Sequence, residues 1–422
     1  MGEKNLEFVD LKYRPHGKDL ICLFKIHPAK GLSIEKASNI VALESSVGTW
    51  TKVPGQEYVK KLRAKVFSIR KNIVAIAYPQ ELFEYSNVPN ILSSIAGNIM
   101  GMNAVESIRL EDVSFPKSIL NNFKGPRFGI EGIRKVMNVK HRPLVGTIIK
   151  PKLGLNTKHH AQSAYESWVG GCDLVKDDEN LSSQRFNEFE ERLARTLEKA
   201  NQSEEETGEK KGYMVNVTAE TNEMIKRAQL AQDLGSKYIM IDIITAGWAA
   251  LQTLRNANFK LIIHAHRAMH AAFDRNPEQG ISMMVLADFA RLIGVDQIHI
   301  GTGIGKLEGK IQDIKEIEEE IEKHFVRHTK KRLEQNWGKI KSVLAVSSGG
   351  LHPGHVPFLI KNLGKDLAIQ AGGGIHGHPD GSRAGAIAMR QAVDAVMKHK
   401  TLNEYSKFHK ELRRALVCWG EK

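Results

Sequence analysis

Residues 145–152 read VGTIIKPK, and this apolar run is the first of eight along the chain. The others are CDLVKDDE (172–179), GYMVNVTA (212–219), YIMIDIIT (238–245), KLIIHAHR (260–267), DQIHIGT (296–302), VLAVSSGG (343–350) and LAIQAGGG (367–374). Helical patterns such as KHHAQSAYESWVGG lie between the runs. Apolar strands that alternate with helices indicate a parallel sheet covered on both faces. Eight such units predict a closed (β/α)₈ TIM barrel, and an open, doubly wound sheet is the alternative.

Charged residues, histidines and glycines are concentrated where these predicted strands end. The active site of a (β/α)₈ barrel lies at the carboxyl ends of its strands. The distribution therefore predicts an enzyme whose site is built from the following residues: Lys150, Lys176, Asp178, Glu179, His266, Arg267, His299, Ser348 and Gly372.

The first part of the chain has a different pattern. Residues 1–124 mix strand-like segments such as ICLFKIHP with helical ones such as SIEKASNIVALESS, which predicts a smaller α+β domain with an antiparallel sheet. Residues 125–422 then form the catalytic barrel domain. Within it, the polar run 201–211 is expected to be a solvated loop, and the charged segment 311–339 is expected to form surface helices.

The composition and the N-terminal sequence argue against a membrane protein and a secreted protein. The chain has 422 residues, 41% of them hydrophobic and 26% charged, which is ordinary for a soluble protein. No apolar run reaches the ~20 residues of a membrane helix. The N-terminus has no apolar signal core, and the three cysteines have no disulfide or metal spacing, so a reducing cytoplasm is expected.

The net charge of +13 admits two interpretations. A basic protein can bind nucleic acid without being an enzyme. Here the lysines are dispersed among acidic residues, as in KEIEEEIEKHFVRHTKKR, and no nucleic-acid motif is present. A basic surface that attracts a small polyanionic substrate is the better interpretation.

The motif GGCDLVKDDEN at 170–180 carries the most specific chemistry. Its apolar run contains Lys176 and is followed at once by three carboxylates. Mg²⁺ prefers oxygen ligands, often carboxylates. A lysine ammonium has no acceptor and cannot join such a set, whereas a lysine carbamylated by CO₂ presents an anionic oxygen. A solvated loop with a salt bridge is the alternative interpretation.

This motif resembles the activation loop of the ribulose bisphosphate carboxylase large chain. The likeness runs from about Asn5 to Trp419, and the compact length is most similar to the archaeal-type form III enzymes. The resemblance implies that carbamylated Lys176, Asp178 and Glu179 hold Mg²⁺. It also implies that ribulose 1,5-bisphosphate is enolised, takes up CO₂ and is cleaved to two 3-phosphoglycerates, with O₂ as a competitor and nucleotide (AMP) salvage as the pathway.

A related enzyme class is the rival. Carboxylase-like proteins that enolise or isomerise a sulfur-salvage sugar phosphate keep the Mg²⁺ ligands but usually depart at substrate or lid positions. This chain retains those positions, which favours a true carboxylase: Lys150, Lys306, His299, Glu44 and Asn98.

Two strand ends carry the predicted proton-transfer groups. In KPK, the resemblance implies that Lys150 is an acid/base and that Lys152 contacts substrate. In IHAHRAMH (263–270), it implies that His266 handles protons at the C3 hydroxyl and that Arg267 binds a phosphate. A zinc site is the alternative for this HxH pair, but no third ligand lies at the usual spacing. His299 resembles a further substrate contact.

Glycine-rich segments follow the last three predicted strands. In GTGIGKLEG (301–309), the resemblance implies that Lys306 lies on a lid that closes over the substrate. Glycine runs after strands seven and eight let backbone N–H groups approach an anion. The phosphate and substrate contacts predicted there are Ser348, Gly349, Gly350, Gln370, Gly372 and Gly373.

Two segments outside the barrel complete the prediction. ESSVGTW (44–50) and GNIMG (97–101) look by themselves like a helix end and a turn. The resemblance implies that their polar and aromatic residues complete the site of a neighbouring subunit: Glu44, Thr49, Trp50 and Asn98. An obligate homodimer is therefore expected, with possible higher oligomers of dimers and no small subunit. Ile148, Ile300 and Glu220 depart from plant-type enzymes and leave turnover and CO₂ specificity open.

Overall fold

The computed structural model describes residues 6–48, 57–305 and 309–421. Its strands are β1 (Asp19–Pro28), β2 (Lys65–Arg70), β3 (Ile73–Pro79), β4 (Val105–Ser114), β5 (Leu144–Ile148), β6 (Leu174–Lys176), β7 (Gly212–Asn216), β8 (Tyr238–Asp242), β9 (Ile262–His266), β10 (Gly280–Ile281), β11 (Gln297–His299), β12 (Phe325–Val326), β13 (Gln335–Asn336), β14 (Leu344–Ser348) and β15 (Leu367–Gln370).

The helices surround or follow these strands. They are α1 (Ile34–Glu44), α2 (Val88–Ile95), α3 (Lys117–Leu120), α4 (Gly129–Met137), α5 (Thr157–Val169), α6 (Phe189–Thr207), α7 (Thr221–Asp233), α8 (Ile243–Ala246), α9 (Trp248–Asn256), α10 (Ala271–Asp274), α11 (Met283–Ile293), α12 (Ile311–Glu322), α13 (Val356–Leu363), α14 (Gly373–His376), α15 (Gly381–Met397), α16 (Leu402–Ser406) and α17 (Lys410–Trp419). Among the described residues, no helix is long and apolar enough to cross a membrane.

The chain divides into two compact units. The first unit contains Met1–Gly125, Met269–Ile293 and Lys323–Ile340. In its described part, the sheet has the order β10-β4-β1-β3-β2. Strands β1 to β4 pair antiparallel as predicted, but the short β10 adds to β4 in parallel, so the sheet is mixed.

On one face of this sheet the β1 side chains are buried and apolar, since successive side chains of a strand point to opposite faces. Cys22, Phe24 and Ile26 of β1 have no solvent exposure. Helix α1 packs against β1 and β2, and it buries Val41 and Ala42. Its N-terminus is fixed by a Ser33 side chain that accepts a hydrogen bond from the Lys36 N–H.

The second unit contains Pro126–Ala268, Gly294–Glu322 and Lys341–Lys422. In its described part, eight strands close into a barrel in the order β11-β14-β15-β5-β6-β7-β8-β9. Every pairing between them is parallel. The closed (β/α)₈ barrel is therefore confirmed, and the open sheet is excluded.

Apolar side chains from alternate strand positions fill the barrel. Because the sheet is closed, side chains that point inward from opposite strands pack against one another. No second sheet is needed to cover them. Ile133 and Met137 of α4 belong to the same cluster. The strand residues in it are Leu144, Leu174, Met214, Tyr238, Met240, Ile262, Leu344, Val346 and Ala368.

Two local predictions were wrong. The run 201–211 is mostly helical, since α6 continues to Thr207 and ends at Gly208 in the left-handed conformation (φ 68°). Its Glu, Gln and Lys residues favour helix, and Ser203 is buried. The segment 311–339 is helical only as α12; the chain then forms the β12–β13 hairpin. Burial of Trp337 and side-chain contacts outweigh local propensity there.

Candidate active site

Lys176 is the last residue of β6, and its side chain is only 1% exposed. Its Nζ donates a hydrogen bond to the Asp177 carbonyl oxygen at 2.8 Å and lies 3.1 Å from Met240 Sδ. Burial lowers the pKa of Lys176, and the surrounding carboxylates only partly oppose this. A buried lysine with a lowered pKa is more readily neutral, and a neutral amine is a nucleophile.

Asp178 and Glu179 extend beyond the end of the same strand. Lys150 Nζ donates to Asp178 Oδ2 at 2.6 Å. Burial alone would raise the pKa of Asp178, but the hydrogen bond from Lys150 and the charges of Lys150 and Lys176 outweigh it and lower that pKa. Glu179 is half-buried, with Oε2 3.7 Å from His266 Nε2. Two carboxylates thus flank a buried amine.

The donor set decides whether a metal fits. Among the described residues, no group of three His, Cys, Asp or Glu side chains is placed to hold a metal ion. Asp178 and Glu179 supply two carboxylates, and an anionic oxygen carried by Lys176 would add a third oxygen ligand. That set fits a hard cation such as Mg²⁺, and the unmodified lysine does not.

Asp177 is directed away from this set and is fully buried. Its Oδ1 accepts from Tyr213 Oη at 2.7 Å and lies 3.1 Å from His160 Nε2. Its Oδ2 accepts from the Asn216 N–H at 3.0 Å and from Arg192 Nε at 3.2 Å. Burial opposes ionisation, but the charge of Arg192 and these hydrogen bonds hold the pKa of Asp177 well below its usual range. An ionised carboxylate therefore anchors the turn after β6.

The histidines of β9 and β11 form one cluster, in which the His299 ring contacts both His264 and His266. His266 Nδ1 lies 2.6 Å from Asp242 Oδ1 at the end of β8. His264 lies in the barrel interior, with Nε2 3.0 Å from His299 Nε2 and Nδ1 2.8 Å from Gln297 Nε2. Burial lowers the pKa of all three histidines. The His299 ring contacts both His264 and His266, but among the described residues no three His, Cys, Asp or Glu side chains are placed to hold a metal ion, which disfavours the zinc interpretation of the HxH pair.

Glycine segments follow β14 and β15, and the one after β15 lies beside Lys150. Ser348 ends β14, and Gly349 and Gly350 follow with φ of 133° and 70°. A Cβ added at Gly372 would lie 3.0 Å from Lys150 Cε, tighter than most real contacts. Glycine is therefore favoured at Gly372 because Lys150 approaches its backbone closely.

Four other residues that were predicted to contact substrate belong to the second compact unit: Lys152, Arg267, Gln370 and Gly373. Lys152 Nζ donates to Asn180 Oδ1 at 3.0 Å. Gln370 is fully buried, and its Nε2 lies 3.6 Å from Met214 Sδ inside the barrel. A Cβ at Gly301 would lie 3.2 Å from a terminal nitrogen of Arg267, so that guanidinium lies beside the start of the glycine-rich loop. Gly373 begins α14 and is exposed.

The remaining predicted residues lie elsewhere. Glu44 ends α1, and Asn98 begins the short 3₁₀ helix Asn98–Gly101; both belong to the first compact unit. Lys306, Thr49 and Trp50 lie outside the described residues.

Two family models match the chain. The model of the ribulose bisphosphate carboxylase large chain catalytic domain matches residues 129–419, and that of its N-terminal domain matches residues 7–119. The chain belongs to the ribulose bisphosphate carboxylase large-chain family. The predicted family and enzyme class are thereby confirmed.

Archaeal carboxylases resemble the chain over its full length. The ribulose bisphosphate carboxylase of Methanocaldococcus jannaschii is 50% identical, with 98% of this chain and 100% of the relative covered. That of Methanosarcina mazei is 48% identical, with 99% of each covered. The dimeric enzyme of Hyperthermus butylicus superposes with a TM-score of 0.94 at 47% identity, covering 99% of each chain. An octameric enzyme of Pyrococcus horikoshii gives 0.91 at 47%, covering 98% of this chain and 96% of the other. The likeness to archaeal-type, form III carboxylases is thus confirmed.

Two residues of the candidate site, Asp177 and Asp242, were not singled out from the sequence. Asp177 lies inside the quoted motif, but nothing local tells which of three adjacent acids is directed inward. Asp242 could have been found from the sequence, since it is an acid at the end of a predicted strand.

The structure also shows where the residues that depart from plant-type enzymes lie. Ile148 and Ile300 are buried, and the Glu220 side chain caps α7 by accepting from the Asn222 and Glu223 N–H groups.

Proposed function

We propose that this carboxylase works through Mg²⁺ held by a carbamate on Lys176 together with Asp178 and Glu179. The observation that carries the proposal is the buried amine of Lys176, whose pKa is lowered, beside two carboxylates at a barrel strand end. When bound, Mg²⁺ supplies a Lewis acid that polarises the substrate carbonyl. When carbamylated, Lys176 would also supply the base for the C3 proton of ribulose 1,5-bisphosphate.

The other barrel residues bind substrate and move protons. His266, oriented by Asp242, handles the proton of the C3 hydroxyl. Lys150 protonates the carbanion left after cleavage, and its contact with Asp178 holds it beside the metal ligands. The substrate and phosphate contacts are Lys152, Arg267, His299, Ser348, Gly349, Gly350, Gln370, Gly372 and Gly373. Lys306 stabilises the new carboxylate from the lid.

The site is completed in a homodimer. Residues 1–124 act as the domain that covers the barrel domain 125–422 of the partner, to which they contribute Glu44, Thr49, Trp50 and Asn98. O₂ competes with CO₂ for the enediolate, and the physiological role is nucleotide salvage. The resemblance of this chain to archaeal form III enzymes supports these proposals.

Lys306 provides the test that separates a carboxylase from an enolase. Enolisation needs the metal ligands and a base, whereas CO₂ addition also needs a positive group over the new carboxylate. Lys306→Ala should still exchange the C3 proton of ribulose bisphosphate with solvent, followed by NMR, while phosphoglycerate formation from labelled bicarbonate falls on the order of 10²-fold. The parent without Mg²⁺ should do neither. Intact carboxylation by Lys306→Ala would overturn the proposed mechanism.

A further inference from the structure

A groove of about 1190 Å³ lies within the first compact unit, among residues that the proposed carboxylase site does not use. Its floor is the sheet face opposite Cys22, Phe24 and Ile26. Leu23 and Ala75 are nearly buried there, and Ile21, Phe67 and Ile73 pack around them with part of their surface still exposed. The floor is thus a continuous apolar surface made by three neighbouring strands.

One wall of the groove is held in place by hydrogen bonds. The Leu333 N–H donates to Asp112 Oδ2 at 2.5 Å, and the Phe115 N–H donates to Gln335 Oε1 at 2.6 Å. Ser114 Oγ donates to the Glu334 carbonyl oxygen at 2.8 Å. Because these bonds tie the β12–β13 hairpin to the end of β4, the concavity is preformed.

The rim of the groove is strongly basic. The cations that line it are Arg70, Lys71, Lys117, Lys330 and Lys339. Among the described residues, no ion pair joins Lys71, Lys117, Lys330 or Lys339 to a carboxylate. Two acids line the groove, Asp19 and Glu334. Asp19 is nearly buried and accepts hydrogen bonds from Tyr13 Oη and the His16 N–H, which leaves Glu334 as the exposed acid of the lining.

The apolar floor and the basic rim together indicate which kind of molecule fits the groove. A concave apolar surface with a few charged groups at its edge is typical of a small-molecule site. The excess of cations favours an anion. We propose that this groove binds a small amphipathic anion, namely an aliphatic or aromatic body that carries one phosphate, with the body on the sheet and the phosphate at the lysines.

The test uses octyl phosphate, titrated calorimetrically into the full-length protein below the concentration at which the ligand forms micelles. One molecule should bind per chain, and octanol and inorganic phosphate should each bind more weakly, since each has only half of the recognised chemistry. Lys117→Glu with Lys330→Glu should weaken binding on the order of tenfold or more. The matched control is Lys12→Glu with Lys30→Glu, two exposed lysines of the same unit outside the groove, which should leave binding unchanged.

Carboxylation should be equal in the parent and in both double variants, so failure of this proposal is distinguishable from failure of the proposed mechanism. If the glutamate variant does not fold, Lys117→Gln with Lys330→Gln supplies the same comparison with a smaller loss. Equal octyl phosphate binding by parent and rim variant overturns the proposal, as does inorganic phosphate binding as tightly as octyl phosphate. Sedimentation measures the assembly state of the parent and of the rim variant. If the parent forms assemblies larger than a dimer and the rim substitutions dissociate them, the groove is a protein interface and the small-molecule assignment is overturned.

Discussion

Replacing Asp177 by Asn removes one charge and keeps the shape of the side chain. The two Asp177 oxygens accept from Tyr213 Oη, the Asn216 N–H and Arg192 Nε. In the asparagine variant an NH₂ group replaces one of these oxygens, and at the Oδ2 position it would face two donors, the Asn216 N–H and Arg192 Nε. Arg192 is also fully buried and loses its charged partner.

The loss of stability should be large. Removing one partner of a buried ion pair typically costs about 3–5 kcal/mol, because the other charge stays buried without compensation. At roughly 2 °C per kcal/mol for a domain of this size, the apparent melting temperature should fall by ~6–10 °C. Since Asp177 lies between Lys176 and Asp178, the turn that carries the proposed metal ligands should also shift. Loss of such supporting contacts commonly weakens metal binding by about 10–100-fold.

The assay combines two measurements on Asp177→Asn and on a matched control. Thermal unfolding at a fixed scan rate gives stability, and the Mg²⁺ concentration for half-maximal activation at saturating CO₂ gives the state of the ligand turn. Asp173→Asn is the control because Asp173 is equally buried at the opposite end of β6 and pairs with both Arg142 terminal nitrogens at 2.6 and 2.8 Å. It should lose stability while its Mg²⁺ requirement stays close to that of the parent.

Two results would refute this reasoning. A melting temperature of Asp177→Asn within 1–2 °C of the parent, on the order of 1 kcal/mol or less, would mean that the carboxylate is not a buried charge partner. Equal increases in Mg²⁺ requirement for Asp177→Asn and Asp173→Asn would mean that general destabilisation, not the position of the turn, controls the metal site.

Two further predictions concern pH and subunit sharing. Burial, followed by the charge of Lys150, lowers the pKa of His376 from 6.5 to about 4. The folded state therefore binds fewer protons between these values, and up to about 3 kcal/mol of stability should be lost as pH falls from 6.5 to 4. His376→Gln should flatten the pH dependence of the melting temperature in that window, and an unchanged slope would contradict the assignment. Glu44→Gln and Lys176→Arg should each be inactive, but re-associated mixtures should recover activity, since a hybrid dimer holds one intact site. No recovery in verified hybrids would argue against shared sites.

Much of the barrel and of its site could be predicted from the sequence. The eight apolar runs identify the strands because a parallel sheet covered on both faces needs continuous apolar segments. The position of Lys176, Asp178 and Glu179 at one strand end also follows from the chain, since a strand that ends in charged residues must present them at the rim of the sheet. These are local properties, which neighbouring residues along the chain determine.

Only the tertiary structure decided where adjacent, chemically similar side chains point. Asp177 and Asp178 are consecutive carboxylates, yet one is paired with Arg192 in the interior and the other with Lys150 at the site. Gln370 is a second example. Its side-chain amide contacts Met214 inside the barrel, and Met214 is 156 residues away in sequence. The β12–β13 hairpin replaced a predicted helix because contacts with β4 stabilise it. In each case the deciding partners are distant in sequence, and only the folded chain brings their charges, donors and apolar surfaces within range.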